Sequence, residues 1–229
     1  MYDPSNILTW LETHVQSMRQ SRRKTLADVV SAALQMRGVG VLALGRAMAG
    51  AVAAKHCIKR VWRLLRNDQF ETSAISAALF SFFRPTTGHT IVLADWTDMA
   101  PFQQLVFSLP RDGRALPFLC VTIRKSEHQG DQEGAMIAGE HRALEMLAEM
   151  CPVGVTPVIV SDRGFGNVRW LSDIANRGWY FVQRLSHIHQ VAVEKHMGSL
   201  KELGIRRGWT PRDWGWGTMD EQQWAPFEW

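Results

Sequence analysis

The stretch VTPVIVSDRGFGNVRW, residues 155–170, decides how this chain is read. Its β-branched run Val158-Ile159-Val160 is short, apolar throughout and bounded by turn formers, the signature of a fully buried strand. The run stops at Asp162-Arg163-Gly164, and a helical apolar spacing follows at once. A buried carboxylate is costly unless it is paired or bound to a metal. The plain reading of Asp162 is a cap for the next helix; the sharper one places it at the mouth of a site. HTIVLADWTDM, residues 89–99, has the same form, an apolar run and then Asp95. Two such strand ends in one chain make a shared site a hypothesis worth carrying.

Working outward, strand periods hold from Thr86. TIVLADW, QQLVFSL and RALPFLCVTI, with PRDG as a turn-rich connector, predict an antiparallel meander. Residues 133–150 predict a helix with Met136, Ile137, Ala143, Leu144, Leu147 and Met150 on one side, stopped at Cys151-Pro152. TPVIVSD is then a strand of parallel type, because a helix precedes it. A helix over 167–176 and the strand WYFVQRL complete the order: three strands, helix, strand, helix, strand. That order predicts an α/β fold with a mixed sheet.

Residues 1–70 differ from the rest in both period and charge. They hold eleven Lys/Arg against four Asp/Glu, a net +7, whereas residues 71–229 hold fifteen against eighteen, a net −3. A basic module joined to a mildly acidic one is the charge plan of a nucleic-acid binder carrying something else. Helices are predicted over 5–20, over 25–37 from a capping-box-like Thr25-Leu-Ala-Asp28, over 41–48, and over 53–66. The last has an apolar face of Cys57, Ile58, Val61, Trp62, Leu64 and Leu65. Its other face carries Lys55, His56, Lys59, Arg60, Arg63 and Arg66, with no acidic residue before Asp68. Short helix, turn and basic helix is a helix-turn-helix layout, and those six residues are the predicted DNA contacts.

Other features set bounds. The N-terminus lacks the uninterrupted apolar core of a signal peptide, and the apolar stretch 38–54 is broken by Arg46 and glycines, so a cytoplasmic protein without membrane spans is expected. Cys57, Cys120 and Cys151 have no metal-type spacing and read as reduced thiols. Residues 186–229 hold five tryptophans (Trp209, Trp214, Trp216, Trp224 and Trp229) among glycines and prolines. They read as short strands of a β-rich ribbon that stops in mid-structure, and the tryptophans as a small hydrophobic core more than a stack for DNA bases. Asp98 reads as a turn residue, Arg163 as the partner of a carboxylate, and His128 and His141 as surface residues without a shared metal.

IVLADWT, LVFSLPRDGRALPF and VIVSDRGF, in this order, resemble the DDE transposases of bacterial insertion sequences, in the branch with a β-rich insertion between the second Asp and the final Glu. MRGVGVLALGRAMAGAVAAKHCIKRVWRLLRND is similar to that family's DNA-binding region. The resemblance spans nearly the whole chain and implies three parts: a helical DNA-binding domain over 1–70, an RNase H-like core over 86–185, and a β-rich insertion over 186–229. It implies that Asp95 and Asp162 are catalytic ligands of Mg²⁺ (or Mn²⁺) in a two-metal centre. It implies double-stranded DNA as partner, both transposon inverted-repeat ends and target, with a nucleoid-associated location, and it allows a homodimer on the DNA. The family's third acid is a Glu in the pattern Tyr-x2-Arg-x3-Glu-x6-Lys. Residues 163–229 contain no such pattern, and Glu221 and Glu228 lie in the Trp-rich ribbon. The expectation is therefore a truncated transposase, inactive for want of that acid. The rivals are a DNA-binding remnant that inhibits transposition and an RNase H-like nuclease using another acid.

Overall fold

The computed structural model describes residues 3–36, 38–48, 50, 52–67, 70, 72–125, 129–165, 167–185, 189–193, 196–202, 216–219 and 227–228. The chain is a mixed α/β protein that divides into two compact units, 1–79 and 80–229. Trp209, Trp214, Trp224, Trp229, Glu221, His128 and Asp68 lie outside the described residues. Of Trp216 and Glu228 only the backbone is described.

Unit 1 is helical: α1 (Pro4–His14), α2 (Gln20–Gln35), α3 (Val41–Ala47), α4 (Ala54–Leu65) and most of α5 (Thr72–Phe83), inside which the unit boundary falls. Asp3 caps α1, its carboxylate accepting from the Ser5 amide at 2.8 Å. One core gathers Leu11, Val15, Met18, Ala27 and Ala78; a second gathers Ala32, Leu44 and Val61. α3 meets α4 closely at Gly45, where an added Cβ would lie 2.6 Å from the Ile58 Cα, so no larger residue fits without moving the helices apart.

Two readings of unit 1 are corrected. α2 begins at Gln20, so Arg22-Arg23-Lys24 lies within it; the Thr25 hydroxyl donates to the Ser21 carbonyl, as inside a helix, and caps nothing. On α4, Cys57, Val61 and Leu64 are buried, but Trp62 and Leu65 are 51% and 61% exposed. At 100° per residue they fall beside the narrow 57/61/64 stripe, not within it. α5 carries no sequence prediction, because an almost wholly apolar SAISAALFSFF offers little polar contrast from which to read a period.

Unit 2 is built on a five-stranded sheet of β1 (Gly88–Met99), β2 (Phe102–Arg111), β3 (Arg114–Arg124), β4 (Val155–Ser161) and β5 (Tyr180–Gln183), in the order β3-β2-β1-β4-β5. β1, β2 and β3 pair antiparallel; β4 and β5 join β1 in parallel. The meander turns at Asp112-Gly113, both at positive φ (49° and 73°), the geometry that Asp-Gly adopts most readily in a tight hairpin. α6 (Gln129–Met150) links β3 to β4, and α7 (Val168–Asn176) links β4 to β5. The tail contributes β6 (Gln190–Val193), β7 (His196–Ser199), β8 (Trp216–Met219) and β9 (Phe227–Glu228). These form an antiparallel sheet in the order β7-β6-β8-β9.

The five-stranded sheet is covered unequally. On one face Val92, Phe107, Leu119 and Ile159 are buried, together with Leu144 and Leu147 of α6 and Ile174 of α7. β4 alternates accordingly: Val155, Pro157, Ile159 and Ser161 are buried, while Thr156, Val158 and Val160 are half-buried. The fully buried strand expected from the sequence is thus buried on one face only. Along the other face, Ile91, Tyr180 and Val182 are 48%, 57% and 58% exposed.

Candidate functional site

The parallel register of β1 and β4 runs from Gly88↔Val155 to Ala94↔Ser161. One step further along each strand stand Asp95 and Asp162. Topology therefore sets side by side two carboxylates from distant parts of the chain. Thr90, Val92 and Ala94 alternate inward, so Asp95 lies on the more open face, opposite Val106 of β2. Both aspartates are exposed, and among the described residues the Asp95 side chain has no hydrogen bond or ion pair. β1 runs on past Asp95 to Met99, so the sequence expectation of a strand ending there is corrected: pairing with β2 continues the strand, and Asp95 is exposed because it stands on the open face.

The Asp162 turn is held firmly. Its Oδ1 accepts from the Gly164 amide at 2.8 Å, and its carbonyl accepts from the Gln183 side chain. The Ser161 hydroxyl donates to Gln183 and accepts from the Trp170 indole at 3.3 Å. Arg163–Phe165 forms one 3₁₀ turn that buries Phe165 against Trp170, ring centroids 5.1 Å apart. A Cβ at position 164 would lie 3.0 Å from Asp162 Oδ1, so a larger residue there would require that carboxylate to shift by a few tenths of an ångström. The cap of α7 is Asn167, whose side-chain oxygen accepts from the Trp170 amide at 2.8 Å. Asp162 thus caps the 3₁₀ turn Arg163–Phe165, and Asn167 caps α7.

Sequence reasoning missed Glu140. It is 5% exposed on α6, and its Oε1 accepts from the Trp96 indole at 3.2 Å. Burial pushes its pKa above the usual carboxylate range; hydrogen bonds from Trp96 and Asn167 oppose this, and the charge of Asp173 adds to it. Glu140 thereby ties the residue after Asp95 to the helix cap that follows the Asp162 turn. It lines a cleft of about 440 Å³ with Glu133, Arg163, Asn167 and Arg169. The signal was present in the sequence: position 140 falls in the apolar stripe 136/137/140/144/147, where a lone acid is out of place.

The remaining candidates separate. Asp98 is not the expected turn residue: it lies within β1, opposite Gln103, in an ion pair with Lys125. His141 lies 3.1 Å from both Glu145 and Asp173, joining α6 to α7. Arg163 is exposed and makes no ion pair among the described residues, contrary to the expected carboxylate pairing. Asp95 and Asp162 are the pair that could hold a hard cation; among the described residues no group of three His, Cys, Asp or Glu is placed to do so.

In unit 1, Lys55, His56, Lys59 and Arg63 are exposed along α4. Arg66, just past its end, is half-buried, and its guanidinium stacks over Trp62, 5.0 Å from the ring centroid. Arg60 is half-buried too, and is bonded to Asp28 at 2.7 Å. Among the described residues no helix is long and apolar enough to cross a membrane. Comparison of the chain with protein-family models, curated proteins and solved structures finds no match.

Proposed function

We propose that the chain is a DNA-binding protein of the DDE transposase type. In this reading unit 1 grips duplex DNA, and unit 2 is an RNase H-like core for hydrolysis and strand transfer at transposon ends. The observation that carries the proposal is the register of β1 and β4, which sets Asp95, within β1, one step beyond the last paired position and next to Asp162, just past the end of β4. The sheet order β3-β2-β1-β4-β5, with β1 and β2 antiparallel, agrees with that core. The exposed basic side chains of α4 and its tight packing on α3 agree with a helix-turn-helix.

The carboxylate oxygens fit Mg²⁺ or Mn²⁺ in donor type, and their exposure leaves room for the waters such ions keep. Among the described residues they fall short in number, since a two-metal centre requires more than two acids. When bound, the metal would activate water and offset charge on the phosphate. Asp95 and Asp162 would hold it, with Ser161, Gln183 and Trp170 fixing the Asp162 turn.

The shortfall in acids favours a second reading, a protein that occupies DNA without cutting it. Mn²⁺ titration of the chain followed by electron paramagnetic resonance tests the site. Binding that weakens at least tenfold in Asp95→Asn and in Asp162→Asn is expected; binding indifferent to both removes the proposed centre. Incubation with transposon-end duplex and Mg²⁺ then separates the readings. Metal-dependent nicking lost in Asp95→Asn supports the enzyme, and retention of DNA without nicking supports the second reading.

A further inference from the structure

A second cleft, of about 270 Å³, opens within unit 1 between the first turns of α2 and the last turns of α4. Arg22, Arg60 and Arg63 line it, with the hydroxyls of Ser21 and Thr25 and the amide of Asn67. Among the described residues no carboxylate lines it. Arg60 is fixed in the wall, its guanidinium donating to Asp28 at 2.7 Å and to Thr25 at 3.4 Å. Arg63 is exposed and has no ion pair among the described residues.

The planar fork of a guanidinium matches the oxygens of a phosphate, and two such forks, on Arg22 and Arg63, line this one concavity. The volume is about nine times that of one water, enough for a tetrahedral phosphate with part of its sugar. We propose that this cleft seats one phosphodiester of duplex DNA, held by Arg22 and Arg63, with Arg60, already paired with Asp28, as part of its fixed wall. The inference rests on the reading of unit 1 as DNA-binding and deepens it. It adds α2 to a surface that the sequence confines to α4, and it makes Arg22 and Arg63 partners on a single phosphate.

The test measures binding of the full chain to a fluorescent duplex by anisotropy across a salt series, with thermal melts confirming that each variant folds. Arg22→Ala and Arg63→Ala should each weaken binding about tenfold and flatten the slope of log affinity against log salt by about 0.9, the value of one phosphate contact. Because they share that phosphate, the double variant should lose little more slope than either single one. Arg22→Lys should restore only part of the affinity, since the fork is lost. Lys55→Ala, outside the cleft, should add its own loss independently.

A parallel arm follows the melting temperature of the chain in inorganic phosphate at constant ionic strength, where stabilisation should vanish in the double variant. Duplex binding that falls in Lys55→Ala but not in Arg22→Ala or Arg63→Ala overturns the cleft and leaves the DNA-binding reading intact. Absence of duplex binding by the unaltered chain overturns that reading instead. If inorganic phosphate still stabilises in that case, the cleft serves a free phosphate and the backbone assignment is wrong.

Discussion

The two faces of the five-stranded sheet differ more from each other than do any two of its strands. Beneath α6 and α7, Phe107, Val92 and Ile159 are wholly buried, and even an acid, Glu140, is enclosed. On the reverse, Ile91, Tyr180 and Val182 are about half exposed and Asp95 stands in solvent. The same strands supply both faces by simple alternation. The lesson is a division of labour: packing is concentrated on one side, which leaves the carboxylate of Asp95 on the other exposed to solvent.

The largest effect should come from breaking the covered face. Phe107→Ala removes a fully buried ring and should lower the unfolding free energy by about 3–5 kcal/mol. Urea denaturation of unit 2's signal measures it, and a loss below about 1 kcal/mol would mean that this face is not the main core.

The enclosed acid sharpens the comparison through pH. The folded-state pKa of Glu140 is raised above its ordinary value of 4.5, so the native state keeps the proton where the unfolded chain has lost it. Its contribution to stability is then complete below about that value and is lost as pH rises through the folded pKa. Glu140→Gln cannot ionise. Unfolding free energies of the parent chain should therefore decline relative to the variant as pH rises above 4.5 and then level off, as read from urea midpoints. Parallel pH curves for the two proteins would show that the carboxyl is not enclosed.

The smallest effects belong to the open face. Val182→Thr and Asp95→Asn, both at exposed positions, should each change stability by no more than about 0.5 kcal/mol. A loss above about 2 kcal/mol in either, in the same denaturation experiment, would mean that the face is covered in solution and would dissolve the contrast.

Much of this was written locally. Strand and helix periods, the Asp-Gly turn, the order of elements in unit 2, the charge excess over 1–70 and the end of β4 at Asp162 all depend on short stretches, and such stretches carry their own periodicity; that β1 runs on past Asp95 to Met99 does not, because pairing with β2 extends it. What they do not carry is the identity of a distant neighbour. That Arg60 is held by Asp28, 32 residues away, and Glu140 by Trp96, 44 residues away, follows from which helices and strands come together. The exposure of Trp62 and Leu65, and the one-sided burial of β4, likewise depend on how far a packing partner reaches across a face. Hydrophobic pattern determines that a surface is apolar; only tertiary contact decides whether it is covered. For the same reason the sequence displays Asp95 and Asp162 as two similar apolar runs each followed by an acid, while the parallel register of β1 and β4 alone makes them neighbours.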